Sequence, residues 1–311
     1  MASVFPFFTA PAGGWITRFA PSPTGLLHLG HVAAALFARE HAQPDGRFLL
    51  RIEDIDTQRC QERFIAATEE DLGWLGLRWW DAPMRQSQRM DRYRAILETL
   101  QERDLLYPCF CTRADIAREA QSSASAPHTA PDGGLLYAGT CRNLTATERA
   151  ARIGAGQPYA LRLDMRRACT LAYGAERRRL TFRDLKRSVC ACEPEAFGDV
   201  ILARRDTPAS YHLCVTHDDA AQGVTLVTRG EDLRSATDVH RLLQTLMGWP
   251  EPVYAFHPLL CDQNGKRLAK RDGALSIRAM RESGMTPEAV MEMARHAASS
   301  EGSPGPVTTP P

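Results

Sequence analysis

The chain has 311 residues, of which 44% are hydrophobic, and its formal net charge is +1. A chain of this length buries a substantial core and is expected to form about two domains. The near-neutral charge excludes a basic surface over the whole molecule, so any nucleic acid must contact local patches. Residues 176–187 are one such basic run, although a run of this kind is more often a solvated face.

The cysteine content and the lack of long apolar segments indicate the cellular compartment in which the protein is expected. The cysteine count of nine is odd and includes two close pairs, which favours a reducing compartment over a disulfide framework. No apolar segment approaches the length of a membrane span, and residues 1–14 lack the pattern of a signal peptide. We therefore expect a cytoplasmic protein that is not inserted in a membrane.

A strand, a proline-rich turn and a helix are predicted close to the N-terminus. Residues 16–20 are typical of a strand, and Pro21 and Pro23 exclude a helix directly after it. Gly25 permits a turn, and the apolar spacing that follows predicts a helix over residues 29–41. The segment that joins these elements reads RFAPSPTGLLHLGH.

Two histidines occur where this helix is expected to begin. His28 and His31 would lie beside the first backbone N–H groups, where the positive end of the helix dipole favours an anion. Gly30 between them would let a ligand approach the backbone closely. The spacing therefore indicates a turn that binds ATP. The alternative is a glycine-bearing turn in which both histidines are ordinary polar groups.

A second strand is predicted over residues 47–52, which read RFLLRI. Strand, helix and strand in close succession predict a βαβ unit with a parallel sheet. Glu53, Asp54 and Asp56 follow this strand, at the edge where open α/β sheets bind ligands. The alternative is that Asp56 caps the helix that comes next.

Two amphipathic helices follow, and their apolar positions are expected to pack in the core. The first stripe comprises Phe64, Ala67, Leu72 and Leu75. The second stripe comprises Met90, Tyr93, Ile96, Leu97 and Leu100. Ser87 is the expected cap of the second helix. We interpret three tryptophans near the end of the first helix as packing residues rather than base-stacking residues: Trp74, Trp79 and Trp80.

A spaced cluster in the middle of the chain comprises Cys109, Cys111, Tyr137 and Cys141. Three thiols with one more donor would complete a tetrahedral zinc site, whereas the alternative is that these cysteines are simply buried. Residues 121–134 are poor in apolar residues and are expected to form a mobile loop, in which His128 is a possible substitute ligand. Cys190 and Cys192 form a second C-x-C with no matching pair and have no assigned role.

The C-terminal half is expected to return to the sheet. Strands are predicted over residues 199–203, 209–219 and 224–227. Residues 265–273 form a basic loop that begins and ends with glycine. Residues 297–311 are rich in Ser, Gly, Pro and Thr and are expected to be disordered.

RFAPSPTGLLHLGH closely resembles the HIGH signature of class I aminoacyl-tRNA synthetases, in the form carried by the glutamyl branch. The P-S-P motif favours glutamate as the substrate amino acid. The glutaminyl branch typically has a glutamate residue at the position of Ser22. Residues 267–271, RLAKR, resemble the KMSKS loop, with Lys270 at the position that contacts ATP phosphates. The resemblance extends over roughly residues 15–275.

This resemblance implies an α/β fold: a Rossmann-like, doubly wound parallel sheet with an inserted zinc-bearing subdomain and a short helical C-terminal part. The two halves of the catalytic domain are expected at residues 15–108 and 196–257. They flank a zinc-bearing, acceptor-side subdomain at residues 109–195. Residues 258–296 would hold the lysine loop and a helical stem-contact part, and residues 297–311 a disordered tail.

The resemblance also implies the residues of the site. Those expected to bind ATP are His28, Gly30, His31 and Lys270. Those expected to bind the substrate glutamate are Arg18, Phe19, Ala20, Pro21, Ser22, Glu53, Tyr211 and Arg229. Glu53 would contact the amino group, and arginine suits a carboxylate because it is a two-pronged donor. The implied zinc ligands are Cys109, Cys111, Tyr137 and Cys141, with tyrosine as the unusual fourth ligand.

The chain departs from the family pattern in two places. His212 stands where the family normally has asparagine, close to the amino-acid contact. In the lysine loop, Arg267 replaces a lysine and Ala269 replaces a serine, so that the charge remains but one hydroxyl donor is missing.

The implied reaction begins when a glutamate carboxylate attacks the α-phosphate of ATP and releases pyrophosphate. A tRNA hydroxyl then takes the glutamyl group, and no side chain serves as a nucleophile. Rate enhancement would rest on alignment and on charge stabilisation by His28 and His31 on one side and Lys270 on the other. Magnesium is expected with ATP, held largely by phosphates and water.

About forty residues follow Lys270, whereas a full glutamyl-tRNA synthetase continues for a further domain or two that bind the anticodon. We therefore expect the shortened branch, the glutamyl-queuosine tRNA(Asp) synthetases. The expected partners are L-glutamate, ATP and queuosine-containing tRNA(Asp), and no obligate protein partner is evident. The alternatives are a catalytic fragment of a glutamyl-tRNA synthetase, a small-molecule nucleotidylyltransferase, and an inactive zinc-bearing RNA-binding module.

Overall fold

The computed structural model describes residues 8–122, 129–259 and 275–299. Its strands are β1 (Ile16–Phe19), β2 (Arg47–Ile52), β3 (Met84–Arg85), β4 (Leu106–Cys109), β5 (Ala160–Leu163), β6 (Thr181–Asp184), β7 (Ser188–Ala191), β8 (Ile201–Ala203), β9 (Leu226–Gly230) and β10 (Val253–His257). Its α-helices are α1 (Leu29–Ala42), α2 (Glu62–Trp74), α3 (Met90–Glu102), α4 (Arg113–Ser122), α5 (Ala146–Gly154), α6 (Met165–Tyr173), α7 (Tyr211–Ala221), α8 (Ala236–Met247), α9 (Ile277–Glu282) and α10 (Pro287–Ser299). Among the described residues, no helix combines the length and the apolar character that a membrane crossing requires.

The chain divides into two compact units. Unit 1 comprises Met1–Thr9, Gln86–Thr225 and Leu233–Tyr254. Unit 2 comprises Ala10–Arg85, Leu226–Asp232 and Ala255–Pro311. The finer division into five parts that the sequence suggests stays a prediction.

Unit 2 contains the parallel sheet that the sequence predicts. β1 pairs in parallel with β2, and β3 pairs in parallel with the other edge of β2. α1 connects β1 to β2, and the hydroxyl of Thr17 on β1 donates to the carbonyl of Ala38 on α1 at 2.8 Å. The βαβ prediction is therefore confirmed.

The core of unit 2 joins the apolar side chains of β1, β2, α1 and α2 with those of α9 and α10. On α2 and directly after it, Ala67, Leu72 and Leu75 are buried as predicted. The prediction for Phe64 is wrong, because Phe64 is only half-buried and its neighbour Ile65 fills the core instead. At its first turn, the buried face of α2 therefore begins one residue later in the sequence than predicted.

The three tryptophans of unit 2 have different surroundings. Trp74 and Trp79 are partly buried and pack against the core, as predicted. The packing prediction is wrong for Trp80, whose side chain is 60% exposed. Its ring lies under the guanidinium of Arg47, 5.0 Å from the ring centroid, which explains how an exposed indole is accommodated.

Unit 1 contains antiparallel pairings in addition to helices. β4, β5 and β8 form a three-stranded sheet in which both pairings are antiparallel. β6 and β7 form a hairpin, and the first residues of β10 pair in parallel with β6. A strand within residues 199–203 is confirmed as β8, but it does not resume the parallel sheet of β1 and β2, because its partner is β5. The last predicted strand, at residues 224–227, is found slightly later as β9.

The buried stripe of α3 is confirmed at Tyr93, Ile96, Leu97 and Leu100, whereas Met90 is half-buried. Ser87 does not cap this helix. It lies inside a short 3-10 helix, Gln86–Arg89, and Arg89 occupies the N-cap position. Gln86 and Arg89 both donate to the buried carboxylate of Asp218, at 3.0 and 2.9 Å, which holds this extra turn in place.

The prediction of a strand over residues 209–219 is wrong, because most of this segment belongs to α7. The Ser210 hydroxyl accepts a hydrogen bond from the Leu213 N–H at 3.4 Å and caps the helix. Four consecutive residues of α7 are buried: Leu213, Cys214, Val215 and Thr216. A helix that is buried on several sides shows no amphipathic period, so its apolar run resembles that of a buried strand.

Several expectations fall outside the described residues. They concern residues 123–128 of the expected loop, with His128, and the lysine loop with Arg267, Ala269 and Lys270. Of the tail predicted at residues 297–311, residues 297–299 belong to α10, and the remainder also lies outside the described ranges.

Candidate functional site

The proline-rich turn after β1 is tied to the segment that follows β2. The Glu53 N–H donates to the carbonyl of Pro21 at 3.0 Å, and the Gln61 N–H donates to the carbonyl of Pro23 at 3.2 Å. Proline has no N–H of its own, so this turn uses its carbonyls as acceptors. The result is that Pro21 and Glu53, which the resemblance assigns to one site, lie together in unit 2.

His28 and His31 form a reciprocal cap at the start of α1. The Gly30 N–H donates to Nδ1 of His28 at 3.1 Å, and the His28 N–H donates to Nδ1 of His31 at 3.2 Å. The ring centroids are 3.8 Å apart. Because each Nδ1 accepts, each neutral ring carries its proton on Nε2. The cap thus fixes both the position and the tautomer of two N–H donors at a helix N-terminus, where an anion is stabilised.

The structure gives a second reason for a glycine at position 30, which the sequence motif did not indicate. A Cβ atom at this position would lie 2.9 Å from Cε1 of His28. Glycine is therefore required for the histidine cap itself, in addition to any access that it provides to a ligand. The local signal was present in the sequence, because the cap residue and the glycine are only two positions apart.

Two buried arginines of the expected glutamate site lie in unit 2. Arg18 is 5% exposed, and its Nη1 donates to the carbonyl of Thr228 on β9 at 2.8 Å. Arg229, the next residue of β9, is 6% exposed, and its guanidinium lies 5.7 Å from the ring centroid of Phe256. Buried guanidinium groups are strong, directional donors to carboxylates. The hydrogen bond from Arg18 to Thr228 therefore ties β1 to the part of β9 that carries Arg229, although the two strands are far apart in the sequence.

The remaining expected glutamate-binding residues are divided between the units. In unit 2, Phe19 and Pro21 are buried, Ala20 and Glu53 are half-buried, and Ser22 is exposed. Tyr211 belongs to unit 1, where it is the first residue of α7. Its ring centroid lies 5.6 Å from that of His212 and 5.7 Å from that of His240, a residue that no sequence motif indicated.

The carboxylates after β2 have separate local partners. Asp54 is buried and accepts from Nε of Arg85 at 3.3 Å, and the same arginine donates to both oxygens of Glu62. Hydrogen bonds from Arg85 lower the pKa of Glu62. Asp56 does not cap α2, which begins at Glu62. It accepts from the backbone N–H and the side chain of Arg59, at 3.2 and 2.8 Å, and so closes a local turn.

The predicted metal ligands come together in unit 1. The Sγ atoms of Cys109, Cys111 and Cys141 all lie within 4.8 Å of one another, and among the described residues this is the only such group of His, Cys, Asp and Glu side chains. Sγ of Cys111 lies 3.5 Å from both Sγ of Cys141 and the hydroxyl of Tyr137. Ligands on a tetrahedral zinc with Zn–S bonds of about 2.3 Å are separated by about 3.8 Å. The donor set therefore fits a zinc ion in size and chemistry.

Burial and hydrogen bonding affect these thiols differently. Burial raises the pKa of Cys111 to about 12. Burial also opposes ionisation of Cys141, but hydrogen bonds with Tyr137 and the Phe110 N–H outweigh it and lower the pKa. The Phe110 N–H donates to Sγ of Cys141 at 3.3 Å. Backbone donation of this kind stabilises a thiolate, which is the form that binds a metal.

Two arginines support this cluster from outside. The guanidinium of Arg162 lies 4.0 Å from the ring centroid of Tyr137, a cation–π contact. Nη2 of Arg205 donates to the carbonyls of Phe110 and Cys111, at 2.7 and 2.6 Å. Such outer contacts orient the residues that bind a metal. Sequence reasoning missed both arginines, because each is distant in the chain from the residues that it contacts.

Comparison with known proteins places the chain in a family. Residues 16–303 match the family described as tRNA synthetases class I (E and Q), catalytic domain. A glutamyl-Q tRNA(Asp) synthetase of Rhodobacter capsulatus is 47% identical over 274 residues, which cover 88% of this chain and 96% of that protein. A glutamate–tRNA ligase of Aquifex aeolicus is 38% identical over 277 residues, 88% of this chain and 55% of that protein.

A solved structure shows the same fold. The crystal structure of a glutamate tRNA ligase from Elizabethkingia meningosepticum in complex with its amino acid matches with a TM-score of 0.72 and 29% sequence identity. The match covers 90% of this chain and 60% of that chain, so the chain spans a little more than half the length of the two ligases. These findings confirm the predicted family and the α/β fold with a parallel sheet. The chain belongs to the class I tRNA synthetases (E and Q), catalytic-domain family, and is a class I aminoacyl-tRNA synthetase-like ligase.

Proposed function

We propose that the chain activates L-glutamate with ATP and transfers the glutamyl group to the queuosine base in the anticodon loop of tRNA(Asp). The observation that carries this proposal is the 47% identity to the R. capsulatus protein over nearly the whole of that protein. The identity to the A. aeolicus glutamate–tRNA ligase is lower, at 38%. The second candidate is accordingly a catalytic domain that charges the 3′ end of a tRNA.

For the amino acid, the proposal uses the residues that the family resemblance assigns. Arg18 and Arg229 would bind the side-chain carboxylate of glutamate, and Glu53 its amino group. Phe19, Ala20, Pro21 and Ser22 would line the same site, and the resemblance also assigns Tyr211 to glutamate. The burial of both guanidinium groups supports this role, because a buried cation binds a carboxylate more strongly than an exposed one does.

For the nucleotide, the proposal uses the cap of α1 and the lysine loop. One oxygen of the glutamate carboxylate attacks the α-phosphorus of ATP, and the bond to the leaving pyrophosphate breaks. His28 and His31 would stabilise the negative charge on the phosphate oxygens, and Lys270 would do so from the lysine loop. Gly30 keeps the cap intact. Magnesium would arrive with ATP and would be held by phosphates and water.

For the inserted part of unit 1, we propose a single structural zinc ion. Cys109, Cys111, Tyr137 and Cys141 would hold it, because their donor atoms converge and lie at the spacing that a tetrahedral ion needs. Zinc would cross-link the C-x-C segment with residues 137–141. The metal takes no part in the proposed chemistry.

For the acceptor, queuosine offers a cyclopentenediol whose hydroxyl oxygen attacks the carbonyl of the glutamyl-adenylate. An ester bond forms, AMP leaves, and the hydroxyl proton is released to solvent. Single-stranded loops with splayed bases are the features that proteins recognise most specifically in RNA. Activation of glutamate requires no tRNA in this scheme.

The test uses labelled glutamate with four forms of tRNA(Asp). They are the queuosine-containing tRNA, the same tRNA trimmed of its terminal adenosine, the queuosine-containing tRNA after periodate cleavage of its diols, and an unmodified transcript. We expect equal labelling of the first two forms and none of the last two. Labelling of the unmodified transcript, or loss of labelling on trimming, would establish the second candidate instead.

A separate measurement establishes whether the chain is an active enzyme. Pyrophosphate exchange that depends on glutamate and proceeds without tRNA is expected. Exchange without any amino-acid requirement would indicate a small-molecule nucleotidylyltransferase. A complete lack of exchange would indicate an inactive RNA-binding module.

A further inference from the structure

Two histidines of unit 1 form a direct hydrogen bond beside Tyr211. Nδ1 of His212 lies 3.2 Å from Nε2 of His240, and the ring centroids are 5.3 Å apart. His212 is the second residue of α7, and His240 lies on α8. The pair therefore bonds the first turn of α7 to the neighbouring helix.

The pair is held in a confined environment. His240 is 3% exposed, and Phe197, which is 5% exposed, lies with its ring centroid 6.4 Å from that of His212. One imidazole must donate and the other must accept, because two N–H groups or two lone pairs would face each other otherwise. His212 itself is half-buried, so removal of its Nδ1 would cost most, because it would take this partner from the buried Nε2 of His240.

Tyr211 contacts both members of the pair. Its ring centroid lies 5.6 Å from that of His212 and 5.7 Å from that of His240, with interplanar angles of 62° and 58°. These edge-on and tilted contacts are the arrangements that aromatic rings prefer. The Tyr211 ring thus packs against two rings that are joined by a hydrogen bond.

We propose that His212 and His240 are positioning residues that hold Tyr211 in place and thereby set the affinity for the amino-acid substrate. The proposal rests on the proposed function, in which Tyr211 contacts glutamate. Neither histidine needs to touch the substrate or to transfer a proton. Their effect is expected in the KM for glutamate, and not in the KM for ATP.

Matched substitutions separate the hydrogen bond from the volume of the side chain. An asparagine at position 212 places an amide atom as many bonds from Cα as Nδ1 of histidine, and a glutamine at position 240 does the same for Nε2. We therefore expect His212→Asn and His240→Gln to keep the KM for glutamate within about twofold. The nearly isosteric apolar variants His212→Leu and His240→Met should raise it roughly fivefold to thirtyfold, as expected for the loss of one partly buried hydrogen bond.

Glutamate-dependent pyrophosphate exchange measures these values, and thermal unfolding shows whether each variant is folded. kcat at saturating glutamate and the KM for ATP should stay within about twofold of the parent. His217→Asn is the matched control, since His217 lies on the same helix but packs against Tyr93 and Trp249. It should leave the KM for glutamate unchanged.

The proposal is overturned if the apolar variants keep the parental KM for glutamate, or if they change both KM values and kcat together in proportion to a lower melting temperature. It is also overturned if asparagine and glutamine fail to restore what leucine and methionine remove. Failure of the proposed function would look different, because the parent protein itself would then show no glutamate-dependent exchange.

Discussion

Unit 2 buries three ionisable side chains that bear on function or stability: two arginines and one aspartate. Arg18 and Arg229 lie on adjacent elements, and each is less than a tenth exposed. Asp71 on α2 is fully buried, and no hydrogen bond to either of its carboxylate oxygens occurs within the described part of the chain. Burying a charge is costly unless it is paired. We therefore assign the aspartate to pH-dependent stability, whereas substrate binding by the arginines is part of the proposed function.

We expect Arg229→Ala to raise the KM for glutamate by roughly 10²-fold, because a charge-assisted pair with the substrate carboxylate is lost. Arg229→Lys should raise it by only about tenfold, since the charge remains but the two-pronged geometry does not. Pyrophosphate exchange over a glutamate titration measures both values. A parental KM in Arg229→Ala would remove this residue from the site.

Asp71 should make the protein less stable as the pH rises from about 4 to about 6. Burial raises its pKa to about 6 from an ordinary value of 3.8, and the nearest cation, Nη1 of Arg281, is 3.8 Å away and opposes this only in part. The native state therefore keeps the proton to a higher pH than the unfolded state does. Stability is lost between the two pKa values and is not regained at higher pH.

We therefore expect Asp71→Asn to raise the free energy of unfolding by about 1–3 kcal/mol at pH 8, with a smaller gain at pH 5. Urea unfolding at both pH values measures the difference. Glu70→Gln is the control, because Glu70 is largely exposed and pairs with the same arginine at 2.8 Å. This variant should change stability by less than about 1 kcal/mol at either pH. An equal gain from Asp71→Asn at both pH values would contradict the assignment.

At the scale of elements, one short segment in each unit carries candidate binding residues. The first is the turn into α1, where the cap depends on hydrogen bonds between residues 28 and 31. The second is the C-x-C segment at the end of β4, whose thiols meet Cys141 through the fold of unit 1. Each segment places its donor atoms through backbone geometry, so that small changes of side chain are expected to have large effects.

Gly30→Ala should slow pyrophosphate exchange, although alanine favours helices over glycine by about 1 kcal/mol. The added Cβ would lie 2.9 Å from the His28 ring, so the cap must shift and the two N–H donors with it. We expect a loss of activity of roughly 10²-fold, as for the removal of a charge-stabilising donor. The control is Gly154→Ala at the end of α5, where an added Cβ meets no atom within 4 Å. Equal activity in the two variants would contradict the role of the cap.

Purified protein should contain about one zinc per chain, as a single tetrahedral site requires. Cys109→Ser combined with Cys141→Ser should abolish the zinc content, because two of the converging donors are replaced by hydroxyl groups. Cys190→Ser combined with Cys192→Ser should retain it, since neither belongs to the cluster. Elemental analysis measures the content. Zinc that persists in the first double variant would place the metal elsewhere.

At the scale of the whole molecule, the small net charge is matched by local pairing of basic residues. In the run 176–187, Arg178 pairs with Glu176 at 2.6 Å, and Arg179 lies 3.9 Å from Glu193. These arginines are largely exposed, and exposed pairs of this kind contribute little to stability. The interpretation as a solvated face therefore holds for residues 176–179, whereas Leu180, Phe182 and Asp184 of the same run are buried. Contact with tRNA must come from particular cations rather than from a general field.

The sequence alone was sufficient for features that depend on neighbouring residues. The βαβ unit, the start of α1 at the histidines and the C-x-C segment were predicted because hydrogen-bonding patterns and apolar spacing act over a few positions. The family followed from the same contiguous motifs. The strand predicted over residues 209–219 failed for the same reason, since a helix buried on several sides has no local signature.

Only the tertiary structure decided which distant residues meet. It placed the side chain of Arg18 on the carbonyl of Thr228, set Arg162 against the ring of Tyr137, and joined His212 to His240. It also showed that Gly30 is required by the ring of His28 rather than by a ligand alone. Such contacts depend on how strands and helices pack in three dimensions, and residue spacing along the chain carries no information about that packing.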